Sequence, residues 1–177
     1  MQPGDATIAL RELSLRGGET TILTVDVEVA PLLLGGHRYD VAVEEGQAEV
    51  QVRRVAGGYM VKLRLRATVY GPCYRCLREV VLPVEAEQEE FVPQEPQSWD
   101  DEVSPFVQDL VVDAAGLARE AVVLGLPDKI LCSEDCPGIC PRCGTDLSVA
   151  GCSCPPEELD PRWAKLQELV ERPPGED

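Results

Sequence analysis

The chain has 177 residues, 44% of them hydrophobic, enough to bury one sizeable core, and no run of 18 or more apolar residues is present to span a bilayer. It carries 32 acidic and 16 basic residues, a formal charge of -16, which argues against an ordinary electrostatic nucleic-acid binder. The excess is one-sided: residues 1–80 hold ten acids and ten bases, and residues 81–177 hold the other 22 acids and only six bases.

The first 92 residues read as an antiparallel β domain. In Thr21–Val29, the residues Leu23, Val25, Val27 and Val29 alternate with Thr24, Asp26 and Glu28, the period of a half-buried strand. Tyr39–Val43 and Ala48–Val55 continue the pattern. Tyr59–Tyr70 sets Tyr59, Val61, Leu63, Leu65, Ala67 and Val69 against Met60, Lys62, Arg64, Arg66, Thr68 and Tyr70. A turn at Gly57-Gly58 predicts Val52 opposite Leu63 and Val50 opposite Leu65. The next hairpin closes through Gly71–Cys76 and returns as Val80–Val92. Symmetry about its two cysteines predicts Leu63 opposite Ala86, Arg64 near Glu85 and Lys62 near Glu87.

Residues 93–130 read as an acidic linker followed by a core helix. Residues 93–105 hold three prolines and no base. Val107–Val112 has strand character. Asp113 is placed to cap a helix from Ala114 to about Leu124, with Leu117, Ala121, Val122 and Leu124 as its apolar positions and Pro127 beyond its end. Residues 131–177 form a cysteine-rich segment with too few apolar residues for a core, so a metal must replace one. Asp160-Pro161 then opens a C-terminal helix carrying Trp163, a core or docking anchor. The expected fold is therefore α+β: an N-terminal antiparallel sheet or barrel-like domain, a helix, and a zinc-ribbon-like C-terminal segment.

Met1–Asp5 lacks the features of a secretory signal, so the expected compartment is the reducing cytoplasm. There, eight cysteines making up under 5% of the chain point to metal rather than disulfides. Cys140-Pro141-Arg142-Cys143-Gly144 is the sharpest motif: two thiolates on a tight turn grip one zinc, and the glycine permits the turn. Cys152 and Cys154 are placed to complete that tetrahedron. Cys73-Tyr74-Arg75-Cys76 is a second such pair without the glycine, joined with Cys132 and Cys136. This partition gives two Zn2+ sites; the rival groups Cys132, Cys136, Cys140 and Cys143. Four-thiolate sites have no open position and are structural rather than catalytic.

Arg53, Arg54, Lys62, Arg64 and Arg66 read chiefly as a face paired with Glu49, Glu85 and Glu87. Direct RNA contact through Arg53, Lys62, Arg64 and Arg66 is the alternative, weakened by the lack of interleaved aromatics. His37, the one histidine, sits in a glycine-rich loop without a partner motif. The acids of Glu85–Glu102 suit a basic protein partner. No phosphate-binding loop or metalloprotease motif occurs.

The run Cys73-Tyr-Arg-Cys76-Leu, the pair Leu126-Pro127, the stretch Cys132…Cys136-Pro-Gly-Ile-Cys140-Pro-Arg-Cys143-Gly-Thr-Asp-Leu147, and Asp160-Pro-Arg-Trp-Ala-Lys-Leu166 resemble the YceD family of large ribosomal RNA subunit accumulation proteins. The resemblance implies a non-enzymatic bacterial factor for 23S rRNA accumulation, through processing or large-subunit assembly, whose cysteines bind zinc. A basic ribosomal protein or assembly factor is the expected partner. The rivals are a zinc-thiolate redox switch and an enzyme with an open metal position.

Overall fold

The computed structural model describes residues 6–95 and 104–155. The chain divides into two compact units, Met1–Cys136 and Pro137–Asp177. The expected helix after Asp160, with Trp163, lies outside the described residues.

The first unit is built on β6 (Gly58–Pro72), a fifteen-residue strand with the cleanest alternation in the sequence. Its full length pairs antiparallel with β7 (Glu79–Pro93). Its other edge is shared by β5 (Gln47–Val55), along Gly58–Arg64, and β4 (His37–Val43), along Ala67–Tyr70. Outside these lie β2 (Thr20–Asp26) on β5 and β3 (Leu32–Leu34) on β4. Among the described residues no pairing closes this six-stranded sheet on itself, so it is an open sheet rather than a barrel. His37 begins β4 instead of sitting in a loop.

A three-residue insertion, Glu44–Gly46, lets β4 and β5 share one edge of β6. In β4 the inward residues are odd-numbered, such as buried Tyr39; in β5 they are Ala48, Val50 and Val52. An odd number of extra residues is what keeps both apolar sets on the same face, because strand side chains alternate with period two. Glu45 and Gly46 take left-handed backbone to make the detour, at φ 55° and 68°.

Two expected registers are displaced by two residues, with every side chain still on its predicted face. The β5–β6 turn is Ala56-Gly57, not Gly57-Gly58, so Val50 faces Leu63 and Val52 faces Val61. Gly57 supplies the positive φ of 81°. Gly58 lies in the strand, where a Cβ would meet the Val92 carbonyl oxygen at 2.2 Å. In the β6–β7 hairpin the connection is Cys73–Arg78, centred beyond the midpoint of the cysteines. Leu65 therefore faces Ala86, Arg64 faces Glu87, and Lys62 faces Glu89. Lys62 still reaches diagonally to an ion pair with Glu87, which also pairs with Arg64 at 2.6 Å.

A small sheet of β1 (Thr7–Ala9), β8 (Val107–Gln108) and β9 (Val111–Asp113) precedes α1 (Ala114–Leu124). The strand expected over Val107–Val112 is thus split by a turn at Asp109 and Leu110, both at positive φ. The Asp113 carboxylate accepts the Gly116 N–H at 2.9 Å, the cap read from the sequence. The helix buries Leu117, Ala118, Ala121 and Val122 in the same core as Val61, Leu63, Val84 and Ala86. Leu124, expected on this face, points outward and is 62% exposed.

The two Cys-x-x-Cys turns share one backbone. Cys73 N–H donates to the Arg78 carbonyl at 2.7 Å and Leu77 N–H to the Cys73 carbonyl at 3.0 Å. Cys140 N–H donates to Thr145 at 2.8 Å and Gly144 N–H to Cys140 at 2.8 Å. The residue after the second cysteine is left-handed in both, Leu77 at φ 63° and Gly144 at φ 72°. Leucine there costs about 1–2 kcal/mol that glycine does not.

Denaturant unfolding of three variants checks this fold. Leu117→Ala should cost about 2–5 kcal/mol, because a fully buried core side chain is lost. Leu77→Gly should be close to neutral, since relieved backbone strain offsets the added chain freedom, whereas Gly144→Val should destabilise its turn by about 1–2 kcal/mol.

Candidate metal centres

Four sulfurs of the first unit converge from two distant segments. Cys73 and Cys76 come from the β6–β7 connection, and Cys132 and Cys136 from the stretch after α1; all four Sγ atoms lie within 4.8 Å of one another. Cys73 Sγ is 3.8 Å from Cys136 Sγ, and Cys76 Sγ is 3.5 Å from Cys132 Sγ. A tetrahedral ion with metal–sulfur bonds near 2.3 Å has a sulfur–sulfur edge of about 3.8 Å, so the spacing fits zinc and is far longer than a disulfide bond. The segments are held in place by backbone: Tyr74 N–H donates to the Ile130 carbonyl at 2.8 Å. Behind them, the Tyr39 hydroxyl donates to the Pro72 carbonyl at 2.9 Å, fixing the end of β6. Gly71 leaves room for that ring: a Cβ would stand 2.2 Å from it.

The polar surroundings favour thiolate. Burial raises the Cys73 thiol, but backbone N–H groups, including those of Arg75 and Cys132 at 3.4 Å each, outweigh it and bring the pKa down to about 6. The Arg78 guanidinium spans Cys76 Sγ at 3.5 Å and Cys132 Sγ at 3.6 Å, and its hydrogen bond leads in lowering the Cys76 pKa. Arg75 donates to the Cys136 carbonyl at 2.7 Å. Sequence reasoning missed both arginines' roles. The signal was present, a base inside the Cys-x-x-Cys turn and another two residues beyond it, but nothing in the spacing separates a sulfur ligand's neighbour from a surface cation.

In the second unit Cys140, Cys143, Cys152 and Cys154 converge in the same way. Cys140 and Cys152 Sγ are 3.5 Å apart. One bridge, Ile139 with Asp146, supports the turn, and Asp146 accepts from the Ser148 N–H at 2.9 Å. Backbone N–H groups of Cys143 and Arg142 lower Cys140 to about 6, while hydrogen bonding with Cys143, followed by burial, pushes Cys154 up to about 12. Four thiols this close cannot all ionise without a shared cation, which is the chemistry of a donor set built for metal. Each cluster can hold a metal ion, and four sulfurs each is consistent with zinc.

The other candidate residues lie elsewhere. Lys62, Arg64 and Arg66 line the outer face of β6 opposite Glu89, Glu87 and Glu85 of β7. Arg66 contacts Glu85 at 3.4 Å and Glu44 at 3.9 Å. Arg53 faces Thr20 and Met60. Arg54 lies over the Tyr59 ring, 4.4 Å from its centre. His37 borders a groove of about 390 Å³ with Tyr39, Tyr74, Leu126 and Ile130. Among the described residues no helix is long and apolar enough to cross a membrane.

The chain is 33% identical over 138 residues to uncharacterized proteins of Mycobacterium tuberculosis and Mycobacterium bovis, covering 73% of this chain and 66% of each relative. It thus spans just under two thirds of those relatives' length. It is 26% identical over 130 residues to the uncharacterized protein YlbN of Bacillus subtilis, covering 72% of this chain and 73% of that one. No solved structure matches it. Residues 61–170 match the family described as "Large ribosomal RNA subunit accumulation protein YceD", a span holding most of β6, all of β7 and α1, and both cysteine clusters, and the chain belongs to that family.

Proposed function

We propose that this protein is a non-enzymatic, cytoplasmic zinc factor that supports 23S rRNA accumulation during large-subunit assembly, acting through a basic protein partner. Cys73, Cys76, Cys132 and Cys136 hold one Zn2+, and Cys140, Cys143, Cys152 and Cys154 hold another in a ribbon-like turn. Each zinc stabilises its fold by offsetting half the charge of four thiolates, and with four protein ligands it has no vacant position for substrate water.

The observation that carries the partner reading is the register of β6 and β7. The three bases on the outer face of β6 stand one-to-one against Glu85, Glu87 and Glu89, so those three cations are already matched by acids. Glu44, Glu45 and Glu49 border the same open groove as Arg64 and Arg66. RNA phosphate is repelled by such a face, whereas a lysine- and arginine-rich protein segment is attracted to it. Zinc in this reading builds the scaffold, and the acids supply recognition.

Three measurements test the proposal. Cys140→Ser should leave residues 6–136 folded and make the chain beyond Pro137 protease-sensitive, because zinc supplies that unit's folding energy; unchanged resistance there would contradict it. Purified protein should leave rRNA precursor intact; degradation lost on replacing a cysteine would point to an enzyme. Against a panel of purified large-subunit proteins, binding should be salt-sensitive, and Glu85→Lys with Glu89→Lys should slow association more than it speeds dissociation. Glu87 is left in place in that variant because it holds Lys62 and Arg64. Tight binding to free 23S rRNA, lost on Arg64→Glu and indifferent to the acid reversals, would favour the RNA route.

A further inference from the structure

We infer that the two cysteine clusters are unequal: Cys140, Cys143, Cys152 and Cys154 form the site of metal exchange and thiol modification, while Arg78 keeps Cys73, Cys76, Cys132 and Cys136 closed to both. This rests on the zinc reading given above, and it assigns to the two sites different chemistry.

The first cluster is the more buried of the two, with three of its four cysteines buried against one in the second. Cys73 and Cys136 are fully buried and Cys76 is 6% exposed, while Cys132 is exposed. That open sulfur is the one the Arg78 guanidinium covers, at 3.6 Å, while its other arm holds Cys76 at 3.5 Å. A planar fork bridging two thiolates does two things. It offsets part of the formal charge of -2 on a four-thiolate zinc centre, and it stands in the path by which an electrophile or chelator reaches sulfur. Arg75 closes the back by binding the Cys136 carbonyl, and backbone N–H groups occupy Cys73 Sγ. An attacking group must break these contacts before it touches a zinc–sulfur bond.

The second cluster has no such cover among the described residues. Only Cys140 is buried; Cys143 is exposed, and Cys152 and Cys154 are half-buried. Outside the cluster, Cys143 meets the neutral Thr145 hydroxyl at 3.2 Å. No Arg or Lys side chain reaches its sulfurs among the described residues. Its outer sulfurs thus keep their access, one of the two determinants of cysteine reactivity. The ligand class this site admits is a soft electrophile, or a thiol-bearing chelator that competes for the zinc.

The test uses full-length, zinc-loaded protein and a pulse of N-ethylmaleimide, read by peptide mass mapping of all eight cysteines. In each event the sulfur adds to the maleimide double bond, the neighbouring carbon takes a proton from water, and the zinc–sulfur bond breaks. Cys140, Cys143, Cys152 and Cys154 should label about tenfold or more before the other four. Arg78→Met should weaken first-cluster zinc about 10- to 100-fold and bring its labelling toward the rate of the second, with Arg78→Lys between the two. Circular dichroism of both variants shows that the sheet is kept. Two zincs by native mass spectrometry with all eight cysteines labelling together would overturn the inference alone. So would first-cluster labelling that precedes the second, or that stays unchanged in a folded Arg78→Met protein. A protein that carries no zinc would overturn the zinc reading and the inference with it.

Discussion

Convergence of four sulfurs from two chain segments more than fifty residues apart is the constraint on which the larger unit depends. Cys73 and Cys76 sit at the far end of the longest hairpin, and Cys132 and Cys136 arrive only after α1 has crossed the sheet. Bringing those thiols within 4.8 Å means that the lengths of β6 and β7, the seating of the helix and the path of residues 125–131 must all agree. The gathered donors favour thiolate, and crowded thiolates are stable only around a cation. Hairpin, helix and a donor set that can hold a metal are therefore one arrangement, with Tyr39 bridging to Pro72 as the link back to β4.

The acidic composition takes a definite form on this scaffold. Bases occur where acids face them: Arg64 lies between Glu49 and Glu87, and Arg66 between Glu44 and Glu85. Such exposed pairs contribute little to stability. What they do is match Lys62, Arg64 and Arg66 on the outer face of β6 with acids. Glu85 keeps 85% of its side chain in solvent even while contacting Arg66. In the proposed reading, that surface attracts positively charged chains.

The alternation of Tyr59–Tyr70 made the central strand and its buried face legible in the sequence, and Asp113 marked the start of the helix. Both rest on local chemistry that a sequence displays. Registers were less legible. Each was two residues off, because turn geometry depends on which glycine needs positive φ and which needs space for the Val92 carbonyl, and sequence shows only that both are glycine. The three-residue strand Leu32–Leu34 and the insertion Glu44–Gly46 carry no periodic signal of their own; they exist because β4 and β5 must share β6. The cysteine turns were plain from spacing, but Leu77 in a glycine's conformation was not, since only the hydrogen-bonded turn imposes it. The roles of Arg75 and Arg78 are set by tertiary placement.

Zinc-edge X-ray absorption on the purified protein, with metal content measured on the same sample, tests the account most directly. The account predicts two zincs per chain and an average shell of four sulfurs at about 2.3 Å. A shell containing oxygen or nitrogen, or a single zinc per chain, would contradict two closed thiolate centres.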